Sequence, residues 1–196
     1  MAWKLGFATL LVPGIIIVMV AMGVIFLQNS RSGEATQPSI GITAEAVMES
    51  PSGEFLGTAT FRQGATGVLI MAEVAGLTPG GHAFVIHETG ACTPDFGAAG
   101  DHFNPAETDH GFVHPAWKRG GSVGAHGGDL PNIYAAADGS ARADFFATGI
   151  ILDTGQTHSI FDADGSALIV HEHPDGYGEV ESDTGARVAC GVINRS

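Results

Sequence analysis

The sequence predicts an all-β domain, a sandwich or barrel of eight short strands, behind one apolar N-terminal segment. Three observations lead there. After residue 27 no apolar repeat of helical period occurs. Short alternating or β-branched runs take its place, and Gly, Pro, Asp and Asn punctuate them. Many short strands can bury a face only by packing sheet on sheet or by closing a barrel.

The N-terminal segment comes first. Residues 5–27 (LGFATLLVPGIIIVMVAMGVIFL) are 23 residues without a charge. At about 1.5 Å per helical residue they can cross a hydrocarbon core of roughly 30 Å. A cleavable signal has a shorter apolar core and small residues at its cut site, whereas here Gln28, Asn29, Ser30 and Arg31 follow. The expectation is an uncleaved transmembrane anchor, and Pro13 is tolerated in such a span. Residues 28–39 (QNSRSGEATQPS) are small and polar and read as a flexible linker. The folded domain then runs over 40–196.

Within it, 42–48 alternates Ala44, Ala46 and Met48 with polar neighbours, and 56–63 carries Thr58 and Thr60 up to Gly64. The run 67–75 holds Val68, Ile70 and Val74 and stops at Gly76. The runs 82–88, 132–136, 141–148, 167–171 and 188–193 complete the set. Two stretches, 89–131 and 172–186, fit no strand. Loops so long inside a compact domain usually serve a function. These hold His102, His110, His114, His126, Asp129, His173 and Asp175, so a metal is the expected source of their order.

Six of the nine histidines fall between His82 and His126. The set His102, His110, His126 and Asp129 offers three imidazoles and a carboxylate, a complete four-coordinate shell for structural zinc. Cys92 and Cys190 are the two cysteines of the chain. One disulfide is the economical reading, two separate buried thiols the other; a disulfide would put the domain outside the cytoplasm. With 21 acidic residues against 8 Lys and Arg, the net charge of −13 leaves no basic stripe, which excludes nucleic acid.

Five separated motifs, "GDHFNP", "DHG", "HGGDLPN", "LIVHE" and "GARVACGVI", occur in that order. Together they resemble the copper/zinc superoxide dismutase family from about residue 42 to residue 194. The resemblance implies an eight-stranded Greek-key β-barrel with two long metal-site loops. It implies that His102 bridges copper and zinc, that His110, His126 and Asp129 complete the zinc site, and that His87 and His171 bind copper. It further implies a Cys92–Cys190 disulfide, Arg187 guiding superoxide, Asp175 linking the two metal sites from outside, and His82 as a structural histidine.

One copper ligand is missing. The family's strand reads His-Gly-Phe-His-Val-His, whereas "HAFVIH" places Val85 where a copper histidine belongs. Side chains alternate across a strand, so Val85 and His87 share the metal side and His82 cannot substitute. Three histidines remain for an ion that prefers a tetragonal nitrogen field. His173 and His114 are the candidate replacements, each followed by proline. The loop 172–186 adds Glu179, Glu181 and Asp183 and no lysine, a poor lure for an anion.

The expectation is therefore a membrane-tethered, extracytoplasmic protein with an intact zinc site, an incomplete copper site and weak or absent dismutase activity. The alternative is an active enzyme converting superoxide to oxygen and hydrogen peroxide with copper on the remaining histidines. A copper-carrying module is disfavoured, since Met48 and Met71 lie in strand-like runs away from the histidines. The expected partners are superoxide, if the protein is active, and the membrane; the resemblance admits a homodimer.

Overall fold

The computed structural model describes residues 39–113, 125–178 and 183–196. The apolar segment 5–27 and all of the linker except Ser39 lie outside them. Among the described residues no helix is long and apolar enough to cross a membrane.

The strands are β1 (Thr43–Glu49), β2 (Phe55–Gln63), β3 (Val68–Val74), β4 (Gly80–His82), β5 (Phe84–His87), β6 (Ile133–Ala135), β7 (Ala141–Ala147), β8 (Ala167–His171) and β9 (Arg187–Arg195). One curled antiparallel sheet runs in the order β5-β8-β9-β1-β2-β3-β7, and β4 pairs with β6 in a separate ribbon. Alternation explains the choice of face. In β1 Ala44, Ala46 and Met48 point inward, and in β3 Val68, Ile70, Ala72 and Val74 do the same. Phe61, Phe84, Ile86, Ile150, Leu152, Ile160 and Leu168 fill the interior. Gln63 is polar, buried and satisfied: its Nε2 donates to the Gly64 and Gly67 carbonyls, and its Oε1 accepts from Leu152 N.

The single strand expected over 82–88 is two, which makes nine strands among the described residues in place of the eight expected. The chain breaks at Ala83, whose N–H donates to the His173 carbonyl and whose own carbonyl accepts from His171 N. Before the break β4 pairs with β6; after it β5 pairs with β8. A strand of four buried residues in a row follows, because β5 is covered on both faces. Phe84 and Ile86 enter the main core, so alternation turns Val85 and His87 toward the loops. β8 is likewise buried throughout: Leu168 and Val170 enter the main core, while Ala167 and Ile169 join a second cluster with Ala99 and Cys190.

No strand interrupts the described residues of 89–131 or 172–186. The first contains one short 3-10 turn, Phe96–Ala99, capped by Asp95, whose carboxylate accepts from Gly97 N at 2.9 Å.

Candidate metal centre

β5 has one neighbour in the sheet, β8, so its other edge offers free backbone groups. The long loop occupies that edge. Phe103 N donates to the Ile86 carbonyl, Ile86 N to the Gly128 carbonyl, and Gly128 N to the Phe103 carbonyl. Isolated bridges therefore set His102 opposite His87 and Asp129 opposite Val85. Gly128 has to be glycine for this approach, since a Cβ there would collide with the Ile86 carbonyl oxygen. Residues of the sheet and of the loop are thus brought together by ordinary strand-like pairing.

Around Asp129 three imidazoles converge. His102 Nδ1 lies 2.8 Å from Oδ1, His110 Nδ1 3.4 Å from Oδ2, and His126 Nδ1 3.5 Å from Oδ1. Gly111 N and His126 N donate to Oδ2 and hold the carboxylate in place. His110 Nδ1 and His126 Nδ1 are buried and form no hydrogen bond; at 3.4 and 3.5 Å they are in ion-pair range but poorly aligned. Two orphaned imidazole nitrogens facing one carboxylate are the donor set that zinc completes, so these residues fit the ion. The fields agree. The Asp129 carboxylate raises His110 to about 9. Burial would raise Asp129, yet its contacts with His102, His110, His126 and Gly111 N hold it well below the usual carboxylate range.

His102 also belongs to the second cluster. One nitrogen each of His87, His102 and His171 lie within 4.8 Å of one another. His87 Nδ1 donates to the Gly100 carbonyl at 2.9 Å and His171 Nδ1 lies 2.9 Å from Thr184 Oγ1. Their Nε2 atoms are left facing each other at 3.4 Å. Burial lowers His87 to about 3 and His171 to about 4, which keeps both neutral and able to ligate. Val85, 3 % exposed, contributes no donor. Three of the four copper donors implied by the resemblance are assembled here; the fourth is an isopropyl group.

The surrounding shell is built from both loops. Arg187, the first residue of β9, donates to the Phe96 carbonyl at 2.6 Å and the Gly100 carbonyl at 2.7 Å, so Gly100 serves both Arg187 and His87. Asp175 Oδ1 lies 3.2 Å from His110 Nε2. Asn132 exchanges two hydrogen bonds of 2.9 Å with Asp175 backbone, and Asn132 N donates to the Tyr177 hydroxyl. Cys92 and Cys190 form a disulfide that ties the long loop to β9. His82 stands outside both clusters, between the Thr78 and His171 carbonyls. His173 is exposed and in neither cluster; His114, Glu179 and Glu181 lie outside the described residues. Sequence reasoning missed Gly100, Asn132, Thr184 and Tyr177. Asn132 ends the "HGGDLPN" motif and could have been found, whereas a carbonyl such as that of Gly100 carries no side-chain signal.

A family model described as copper/zinc superoxide dismutase matches residues 55–193. A copper/zinc superoxide dismutase of Caulobacter vibrioides is 43% identical over 155 residues, covering 77% of this chain and 85% of that one. A second from Aquifex aeolicus is 37% identical, covering 78% and 86%. A crystal structure of a superoxide dismutase-like protein from Bacillus subtilis superposes with a TM-score of 0.67 at 35% identity, over 75% of this chain and 95% of the other.

Proposed function

Because the chain belongs to the copper/zinc superoxide dismutase family, we propose that it is a membrane-tethered, zinc-holding member whose copper position is incomplete and whose dismutase activity is weak or absent. One observation carries this reading: Val85 is buried opposite Asp129, on the same face of β5 as His87, where a fourth nitrogen donor would be needed. Among the described residues no other histidine joins His87, His102 and His171.

When bound, copper supplies the one-electron acceptor and donor that dismutation requires. The chain's own residues do the rest. His87 and His171 present neutral nitrogens, with Gly100 and Thr184 fixing their ring orientations. Arg187 offers a guanidinium to an anion, its position set by the two carbonyls it grips. The zinc set His102, His110, His126 and Asp129 orders the long loop and, through His102, holds the edge of the second position. With three donors, copper would be held weakly and its two oxidation states poorly matched.

An N-terminal anchor over 5–27, a Greek-key barrel outside the cytoplasm, and superoxide, the bilayer and a second copy as partners complete the proposal. The disulfide supports an oxidising compartment. Convergence of three nitrogens, and relatives named as superoxide dismutases, favour a second reading in which residual copper turns over. Zinc-loaded wild type is compared with Val85→His for copper occupancy and superoxide consumption. The variant is expected to gain both; a wild type that binds stoichiometric copper and turns over as fast as the variant establishes the second reading.

A further inference from the structure

We propose that Tyr177 is a positioning residue for the zinc set: through Asn132 it keeps the Asp175 carboxylate on His110, and so governs how long zinc is held. The proposal rests on the reading that His102, His110, His126 and Asp129 bind zinc, and adds to it a residue that hydrogen-bonds to none of the four.

The backbone at Tyr177 is the first sign. Its φ is +58°, in the left-handed region that a bulky side chain enters only at a cost. Gly178 follows in the chain and is not in that region, so the tyrosine itself carries the strain. Such strain persists only where the surroundings over-determine it. Three contacts do so here. The Tyr177 hydroxyl accepts from Asn132 N at 2.6 Å, its carbonyl accepts from Val113 N at 2.9 Å, and its ring centre lies 5.5 Å from that of Phe112. A Cβ at Gly111 would collide with the Tyr177 and Gly178 carbonyl oxygens, so the two long loops meet there backbone to backbone. One residue of the second loop thus grips the first loop and the chain just ahead of β6.

Asn132 passes that grip on. It is buried, its Nδ2 donates to the Asp175 carbonyl, and its Oδ1 accepts from Asp175 N, both at 2.9 Å. The Asp175 carboxylate then stands 3.2 Å from His110 Nε2, while His110 Nδ1 faces Asp129. An outer carboxylate orients the ring of a ligating histidine and makes it a better donor. Asp175 and Tyr177 both close on Asn132, so loosening the tyrosine frees the turn that aims the carboxylate.

Full-length protein loaded with Zn²⁺ is mixed with excess chelator, and the loss of zinc is timed. Tyr177→Phe keeps the ring and removes the acceptor of the Asn132 N–H; it should shed zinc about tenfold faster than wild type. Asp175→Ala should shed it roughly 10- to 100-fold faster, and the double variant no faster than Asp175→Ala alone, because the tyrosine acts through that carboxylate. A merely structural tyrosine would add its loss to that of Asp175→Ala, so additive effects overturn the proposal, as does a Tyr177→Phe rate equal to that of wild type. Tyr177→Gly relieves the left-handed strain and should still lose zinc faster than wild type. Equal retention would mean that the position needs only its backbone, and also overturns the proposal. A measurement on wild type does not depend on the variants folding. In zinc-loaded protein the Asn132 and Asp175 amide protons should be protected from exchange together, and both should lose protection when zinc is removed. An Asn132 amide that exchanges freely while zinc stays bound overturns the proposal. Wild type that takes up no zinc sinks the zinc reading itself, an outcome distinct from zinc that is held regardless of Tyr177.

Discussion

At the scale of single residues, Val85 and the histidines around it set opposite demands. Val85→His would place an imidazole in a pocket now 3 % exposed. Without copper, the variant should lose roughly 1–3 kcal/mol of stability for a buried polar group with an unmet hydrogen bond. Copper should restore it by binding only the native state. Denaturant unfolding with and without copper measures both; a variant as stable as wild type in the absence of metal would sink the idea. The pH dependence of the metal-free protein follows from three rings. His87 and His171 are lowered from 6.5 to about 3 and about 4, so their contribution is complete above 6.5 and is lost as pH falls toward those values. His110 is raised from 6.5 to about 9, so its contribution is complete below 6.5 and is lost as pH rises through about 9. Metal-free stability should therefore be greatest near 6.5 and decline on both sides, which a pH series of thermal unfolding reads directly. Zinc must displace the His110 proton, so uptake at pH 8 should release one, seen by calorimetry in buffers of different ionisation heat.

At the scale of elements, the decisive unit is β5 with the loop segments hung on its open edge. The sequence pattern finds the strand but not its break at Ala83, because "HAFVIHE" alternates no polarity that would betray a change of partner. A strand buried on both faces reads the same whether it is one piece or two. The pairing of Ile86 with Phe103 and Gly128 is invisible in the sequence for a related reason: backbone hydrogen bonds carry no residue signature. Gly128→Ala tests the element. The added Cβ meets the Ile86 carbonyl and should cost about 1–3 kcal/mol as the loop is pushed off the strand. Zinc retained after dialysis should fall with it. Unchanged zinc and stability would show that the loop reaches its place by other contacts.

At the scale of the whole molecule, two constraints act far from the metals. The Cys92–Cys190 disulfide spans 98 residues, and closing so long a loop should be worth roughly 2–4 kcal/mol. Oxidised and reduced protein compared in guanidinium, both zinc-loaded, give that difference; equal midpoints would argue against it. The apolar segment 5–27 should hold full-length protein in the membrane pellet through alkaline extraction, while a chain starting at Ser39 is released. Equal solubility of the two would end the anchor proposal. The sequence by itself determined the class of fold, the strand faces, the likeness to its family and the absence of a nitrogen donor at Val85, because alternation, turn residues and ligand types are local properties of the chain. Only the tertiary structure decided that β5 is covered on both faces, that the His87 and His171 nitrogens stand 3.4 Å apart, and that the Gly100 carbonyl serves both His87 and Arg187. Those are distances between groups remote in sequence, and they exist only once the sheet curls and the loops close over its edge.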